Sequence, residues 1–212
     1  MLNLKDVTLV AVTSVKLKET ERSIKRCCEN INFGDVKFII GSESNYDDFP
    51  TIKSNSLLNS VDEYSRFIVY DLWKYIETSH CLIIQYDGFV NDHNSWRDDF
   101  LNYCYIGAPW PLPTDSFSYR DSFNNIVRVG NGGFSLRSKK LLELPTKLNL
   151  SWEPFHGYYN EDGFFVCKNR HIFLKNGCNF ADIDVAKYFS RETDLPENVG
   201  INTFGVHGKR FL

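Results

Sequence analysis

The sequence predicts an α/β fold with a central mixed, mostly parallel β-sheet flanked by α-helices. Three observations carry that reading. A continuous apolar run at residues 6–13 has the length of a strand buried on both faces. A helix-like stretch at 19–30 and a second apolar run at 36–40, closed by Gly41, complete a strand–helix–strand unit. Then Leu57, Leu58, Val61, Tyr64, Ile68, Leu72 and Ile76 recur at helical spacing, ahead of another buried strand at 81–85. The first half thus alternates β and α as a nucleotide-binding unit does.

The second half drops that rhythm. Residues 106–113 are broken by Pro109, Pro111 and Pro113, and 119–127 are polar and irregular. A short helix is expected over 138–144, stopped by Pro145. No internal repeat, low-complexity tract or linker divides the chain, so 1–212 reads as one domain with two functional halves.

At 212 residues, 42% hydrophobic and 24% charged, the chain can bury a substantial core, which excludes bulk disorder. A net charge of -3 gives no basic footprint for nucleic acid. The aromatic share of 15% suits both a Phe-rich core and a cleft that stacks on sugars. Six cysteines without a C-x-x-C pair read as reduced thiols in a cytoplasmic setting, with Cys81 and Cys167 as small buried hydrophobes. No secretory leader or membrane segment is expected, since residues 1–6 lack a basic start with a long apolar sequel and 7–12 are too short to span.

Four short segments carry the chemistry. Asp87 lies just past the strand at 81–85, at the carboxyl edge where ligands of open α/β sheets bind, and a carboxylate there can hold Mg²⁺ or Mn²⁺. Asp87-Gly88 also suits a tight turn, but Asn91-Asp92-His93-Asn94 offers no partner strand for a hairpin. Gly130-Asn131-Gly132-Gly133 permits close backbone approach to a ligand, or an ordinary turn. Glu161-Asp162, ahead of Phe164-Phe165, can cap a helix while one carboxylate aims into a cleft. His207 can ligate Mn²⁺ or lie at the surface; Lys209 and Arg210 can neutralise a diphosphate or form a solvated tail.

In this order the segments resemble the GT-A-fold glycosyltransferases, over essentially the whole chain, and are similar to the glycosyltransferase domains encoded by large chlorella viruses. Gln85-Tyr86-Asp87 matches the last acid of the family's D-x-D element, Gln85 standing where the first would be. Gly132-Gly133-Phe134-Ser135-Leu136 resembles the glycine-rich segment beside the sugars, Glu161-Asp162 the x-E-D element of inverting members, and Phe204-Gly205-Val206-His207-Gly208 the late histidine segment.

The resemblance implies a single GT-A domain, 1–90 forming the nucleotide-binding half and 91–212 the acceptor and catalytic half, free-standing or within a longer protein. It implies a hexose or deoxyhexose moved from a UDP-sugar to a glycan hydroxyl with inversion, in glycoprotein glycan synthesis. Mn²⁺ (or Mg²⁺) would sit on Asp87 and His207. Thr13, Ser14, Arg66, Gly132, Gly133 and Lys209 would join Asp87 and His207 around the UDP-sugar. Asp162 is the expected base, and Glu161 would orient the acceptor or support Asp162. A viral capsid glycoprotein is an implied acceptor, the host cytoplasm then the setting. Two rival readings are a sugar-nucleotide nucleotidyltransferase, against which residues 13–18 supply lysines but no glycine, and a non-catalytic glycan-binding module.

Overall fold

The structure, a computed structural model, describes residues 1–157 and 159–212. Its main sheet has six strands in the order β3-β2-β1-β4-β7-β6. The strands β1 (Leu2–Thr13), β2 (Ile31–Ile40), β3 (Ile52–Lys53) and β4 (His80–Ile84) run parallel. Next to them β7 (Phe134–Ser138) runs antiparallel to β4, and β6 (Tyr105–Ile106) is antiparallel to β7. The expected mixed, mostly parallel sheet is present.

Both faces of the sheet are buried, as the unbroken apolar runs require. Side chains alternate along each strand, so Leu9, Ala11, Leu82 and Ile84 join one core cluster while Val10, Val12, Cys81 and Ile83 join another. The first cluster lies under α1 (Leu17–Cys28) and α5 (Ile183–Phe189). The second lies under α2 (Val61–Tyr70), α3 (Lys139–Lys147) and α4 (Arg170–Lys175). No helix among the described residues is long and apolar enough to cross a membrane.

Several boundaries differ from the sequence reading. β1 starts at Leu2, because its first residues also find partners, Leu2 to Leu4 pairing with Ile31 to Phe33. The periodic stretch at 57–76 is not one helix. Ser60 caps α2 by accepting from Glu63 N at 3.1 Å, and a 3₁₀ turn, Leu72–Tyr75, follows α2. Pro145 does not stop α3, which runs on to Lys147. In the final turn a missing N–H removes one ladder bond, and Leu148 N still donates to Leu144 O at 2.9 Å.

The antiparallel insertion of β7 decides where the site forms. Ile84 pairs with Phe134, so the amino end of β7 lies at the carboxyl edge of β4. Residues 130–133 therefore arrive where Gln85-Tyr86-Asp87 departs, and Gln85 N donates to Gly133 O at 3.0 Å. A second sheet, β5 (Gly88–Val90), β9 (Gly205–His207) and β8 (Ser190–Arg191), continues from that edge. Its Gly88↔His207 pair carries the end of the chain to Asp87.

Candidate active site

At the carboxyl edge of β4 the buried Asp87 faces His207, Oδ1 lying 3.4 Å from Nε2. Gln85 Oε1 is 3.3 Å from the same nitrogen, while Nδ1 contacts Glu192 Oε1 at 3.1 Å. Burial would lower the imidazole pKa, but the carboxylates of Asp87 and Glu192 beside the ring outweigh it and lift His207 to about 9. Burial likewise opposes ionisation of Asp87, and the contact with His207 overrides it, so that carboxyl sits below its ordinary value. The ring is thus held by Glu192 with Nε2 turned toward Asp87 and Gln85.

No group of three or more His, Cys, Asp or Glu side chains converges on one metal position among the described residues. The donors present nonetheless suit a hard divalent cation. Asp87 Oδ1 is buried with no hydrogen-bond partner. The spacing of carboxylate, imidazole and amide oxygen is close to that of neighbouring ligands on one ion, whose bonds run about 2 Å. Asp87 and His207 therefore fit such an ion, the imidazole giving up its proton as the metal takes its place.

The second half of the site starts from a buried cation. Arg137 in β7 is 0% exposed, and its Nη1 lies 2.5 Å from Oε2 of the buried Glu161. Its Nε donates to Ser135 Oγ at 3.1 Å and its guanidinium stacks near the rings of Tyr105 and Phe165. Breaking such a pair from one side typically costs about 3–5 kcal/mol, because a charge is stranded in the core. Glu161 in turn lies over Gly132, where an added Cβ would come 2.1 Å from Oε1.

Asp162 follows directly. Its Oδ1 accepts from Gly163 N at 2.7 Å, at the head of a π-helix, Gly163–Lys168. A wide turn of this kind is frequent at functional sites. Burial, and then the neighbouring Glu161 charge, push the Asp162 carboxyl up to about 7.

Two cavities meet here. One, of about 440 Å³, is lined by Thr13, Tyr64, Gln85, Gly132, Gly133 and His207 among others. The second, of about 490 Å³, is walled by Trp110, Tyr119, Trp152, Phe155 and Glu192 among others. Asn131, Asn160 and Asp162 line both.

Asp87, Gly132, Gly133, Glu161, Asp162 and His207 are therefore brought together, with Thr13 at the rim. Three expected donor-site residues are not. Ser14 donates its hydroxyl to Leu57 O at 2.6 Å and lines neither cavity; it ties two loops together. Arg66 is exposed, paired with Asp62 at 3.2 Å, because it sits one residue round α2 from the inward Ser65. Lys209 is exposed and lines neither cavity, though its charge helps hold Asp87 ionised. Glu161 faces Arg137 in the core and does not line the aromatic-walled cavity.

Arg137, Glu192, Asn131 and Tyr64 were not identified from the sequence as site residues. Only Arg137 carries a signal, a lone charge inside a strand that is otherwise apolar or small.

A family model described as a protein of unknown function, DUF5672, matches residues 48–207. No curated protein sequence matches the chain. Among solved structures, a glycosyltransferase involved in the glycosylation of the major capsid of PBCV-1 is similar with a TM-score of 0.56 at 15% identity, over 95% of this chain and 91% of that one. The galactosyltransferase LgtC, in complex with donor and acceptor sugar analogues, gives a TM-score of 0.51 at 12% identity over 95% and 86%. An active-site mutant of LgtC gives 0.52 at 13% identity over the same shares. These likenesses show the GT-A fold.

Proposed function

As the chain belongs to the DUF5672 family of proteins of unknown function and has the GT-A fold, we propose that it is a metal-dependent glycosyltransferase. It moves a hexose or deoxyhexose from a UDP-sugar to a glycan hydroxyl, with inversion at the anomeric carbon. The observation that carries this reading is Asp162, a carboxylate with a raised pKa where two cavities meet.

The cavity beside Thr13, Gln85 and the two glycines takes the donor, and the aromatic cavity takes the acceptor sugar against its ring faces. Asp87 and His207 would hold Mn²⁺ (or Mg²⁺), which when bound supplies positive charge beside the donor diphosphate. Asp162 accepts the proton of the acceptor hydroxyl while that oxygen bonds to the anomeric carbon. The bond from that carbon to the diphosphate oxygen breaks, and its electron pair leaves with UDP. With a pKa of about 7, Asp162 is ionised in a large fraction of molecules at neutral pH and still basic enough to take a proton.

The acceptor is a glycan in glycoprotein glycan synthesis; the likeness to a capsid glycosyltransferase makes a capsid glycoprotein the first class to test. The direct test is UDP release from a panel of UDP-sugars with and without Mn²⁺, followed by NMR of the product anomer. Metal-dependent release of UDP and an inverted product are expected. Release without metal, or a retained anomer, overturns the corresponding part.

A further inference from the structure

The Arg137–Glu161 pair is more elaborate than a fold requires. A core of this size can be closed with apolar side chains, and a buried ion pair is weak evidence for stability. Here the pair is embedded in a polar chain running through the core. Ser135 Oγ, which receives Arg137 Nε, donates to Gly132 O at 3.0 Å. Tyr105 hydroxyl, 3.4 Å from Arg137 Nη2, donates to Gly130 O at 2.8 Å. Each link ends on the glycine segment that walls the donor cavity or on the residue before Asp162.

We propose that Arg137 is a positioning residue of the reaction: by holding Glu161 inward against Gly132 it fixes the next residue, Asp162, at the junction of the two cavities. This rests on the glycosyltransferase reading. Adjacent residues of a helical turn point about 100° apart, so anchoring one side chain sets the direction of its neighbour. Gly132 admits Glu161 only because it has no Cβ. The direction of the base is thereby set by one guanidinium, in the range where a displacement of about 1 Å can cost about 10²-fold in rate.

The charges around Asp162 are Glu161 from its own turn, Arg137 from β7 and Glu192 from beyond β8. Burial and Glu161 raise its pKa, and Arg137 opposes them to a smaller degree. Removing Glu161 and Arg137 together should therefore lower it.

The test uses the double variant Arg137→Met with Glu161→Gln, which leaves no unpaired charge in the core, and Arg137→Lys, which keeps the cation and loses the planar fork. Three quantities are read: UDP affinity with Mn²⁺ by calorimetry, kcat and KM for UDP release from UDP-glucose and UDP-galactose, and the Asp162 carboxyl ¹³C titration. UDP affinity and donor KM should stay within about 2-fold, while kcat falls about 10-fold or more in both variants. The Asp162 midpoint should move to lower pH in the double variant. If both variants keep wild-type kcat while Asp162→Asn is inactive, the pair is only structural and the inference falls, whether or not the midpoint moves. Wild-type turnover by Asp162→Asn removes the base, and the positioning role with it.

Discussion

Replacing Asp162 by asparagine separates two consequences of burying a carboxylate where the cavities meet. The side chain keeps its shape and the acceptor for Gly163 N, but the charge is lost. In the folded protein the carboxyl titrates at about 7 against an ordinary 3.8, a difference of roughly 3 pH units at about 1.4 kcal/mol each, or about 4 kcal/mol. A folded pKa above the unfolded one means that the protonated form stabilises the fold. That stability is complete below the unfolded pKa near 3.8 and is lost as pH rises through about 7. Asp162 retains some contact with solvent, so about half the ceiling, about 2 kcal/mol, is the working figure. For a chain of this length that corresponds to a Tm gain of about 4–8 °C for Asp162→Asn at pH 8, shrinking toward zero near pH 4. Turnover of the same variant should fall by about 10² or more. Thermal melts from pH 4 to 8, with UDP release at pH 8, read both effects. A Tm difference that does not change with pH would refute the buried-charge account, and undiminished turnover would refute the role of base.

The wild-type rate should carry an acid limb in kcat/KM near pH 7, falling as the pH drops and Asp162 takes up its proton; a profile flat from pH 5 to 8 would assign the base elsewhere. Asp87→Asn should weaken Mn²⁺-dependent UDP binding by about 10-fold or more, whereas an unchanged calorimetric affinity would remove Asp87 from the ion. Gly133→Ala places a Cβ 2.1 Å from His207 Nε2; it should reduce metal-dependent UDP affinity while leaving metal-free binding alone, and equal loss in both would point to general misfolding. Arg66→Ala, at an exposed site outside both cavities, should leave UDP affinity within about 2-fold, and a larger loss would return Arg66 to the donor site.

Sequence pattern made the parallel half of the sheet legible, because strands buried on both faces leave unbroken apolar runs. It also singled out Asp87, Glu161, Asp162 and His207, since acids and a histidine beside glycines are unusual in company. Pattern alone could not bring Asp87 to His207, which only the resemblance to the GT-A-fold glycosyltransferases implied. That proximity depends on three-residue strands 115 or more positions apart pairing as β5 and β9, and such short strands leave no periodicity to read. Arg66 was misplaced for a related reason. Helical spacing locates a residue on α2 but not on its inward face, and the cavity receives Tyr64 and Ser65 while Arg66 turns to Asp62. Ser14 illustrates the limit at a strand end, where a hydroxyl serves the donor or closes the loop, and here it closes the loop.

Gly132 and Gly133 read as a segment that permits close backbone approach to a ligand, and both line the cavity proposed for the donor. Their lack of side chains has a more specific use. The space of the first missing Cβ is taken by Glu161 Oε1 and that of the second by His207 Nε2. Two consecutive residues therefore divide the site, one receiving the turn that carries the proposed base Asp162 and the other receiving His207, the proposed metal ligand. The pair lies in the bend just before β7, and there each residue leaves room on its own side for a large polar side chain. A side chain at either position would displace one half of the chemistry and spare the other. The two halves are therefore set apart by the backbone itself, next to the pairing of β7 with β4, two strands buried along their whole length.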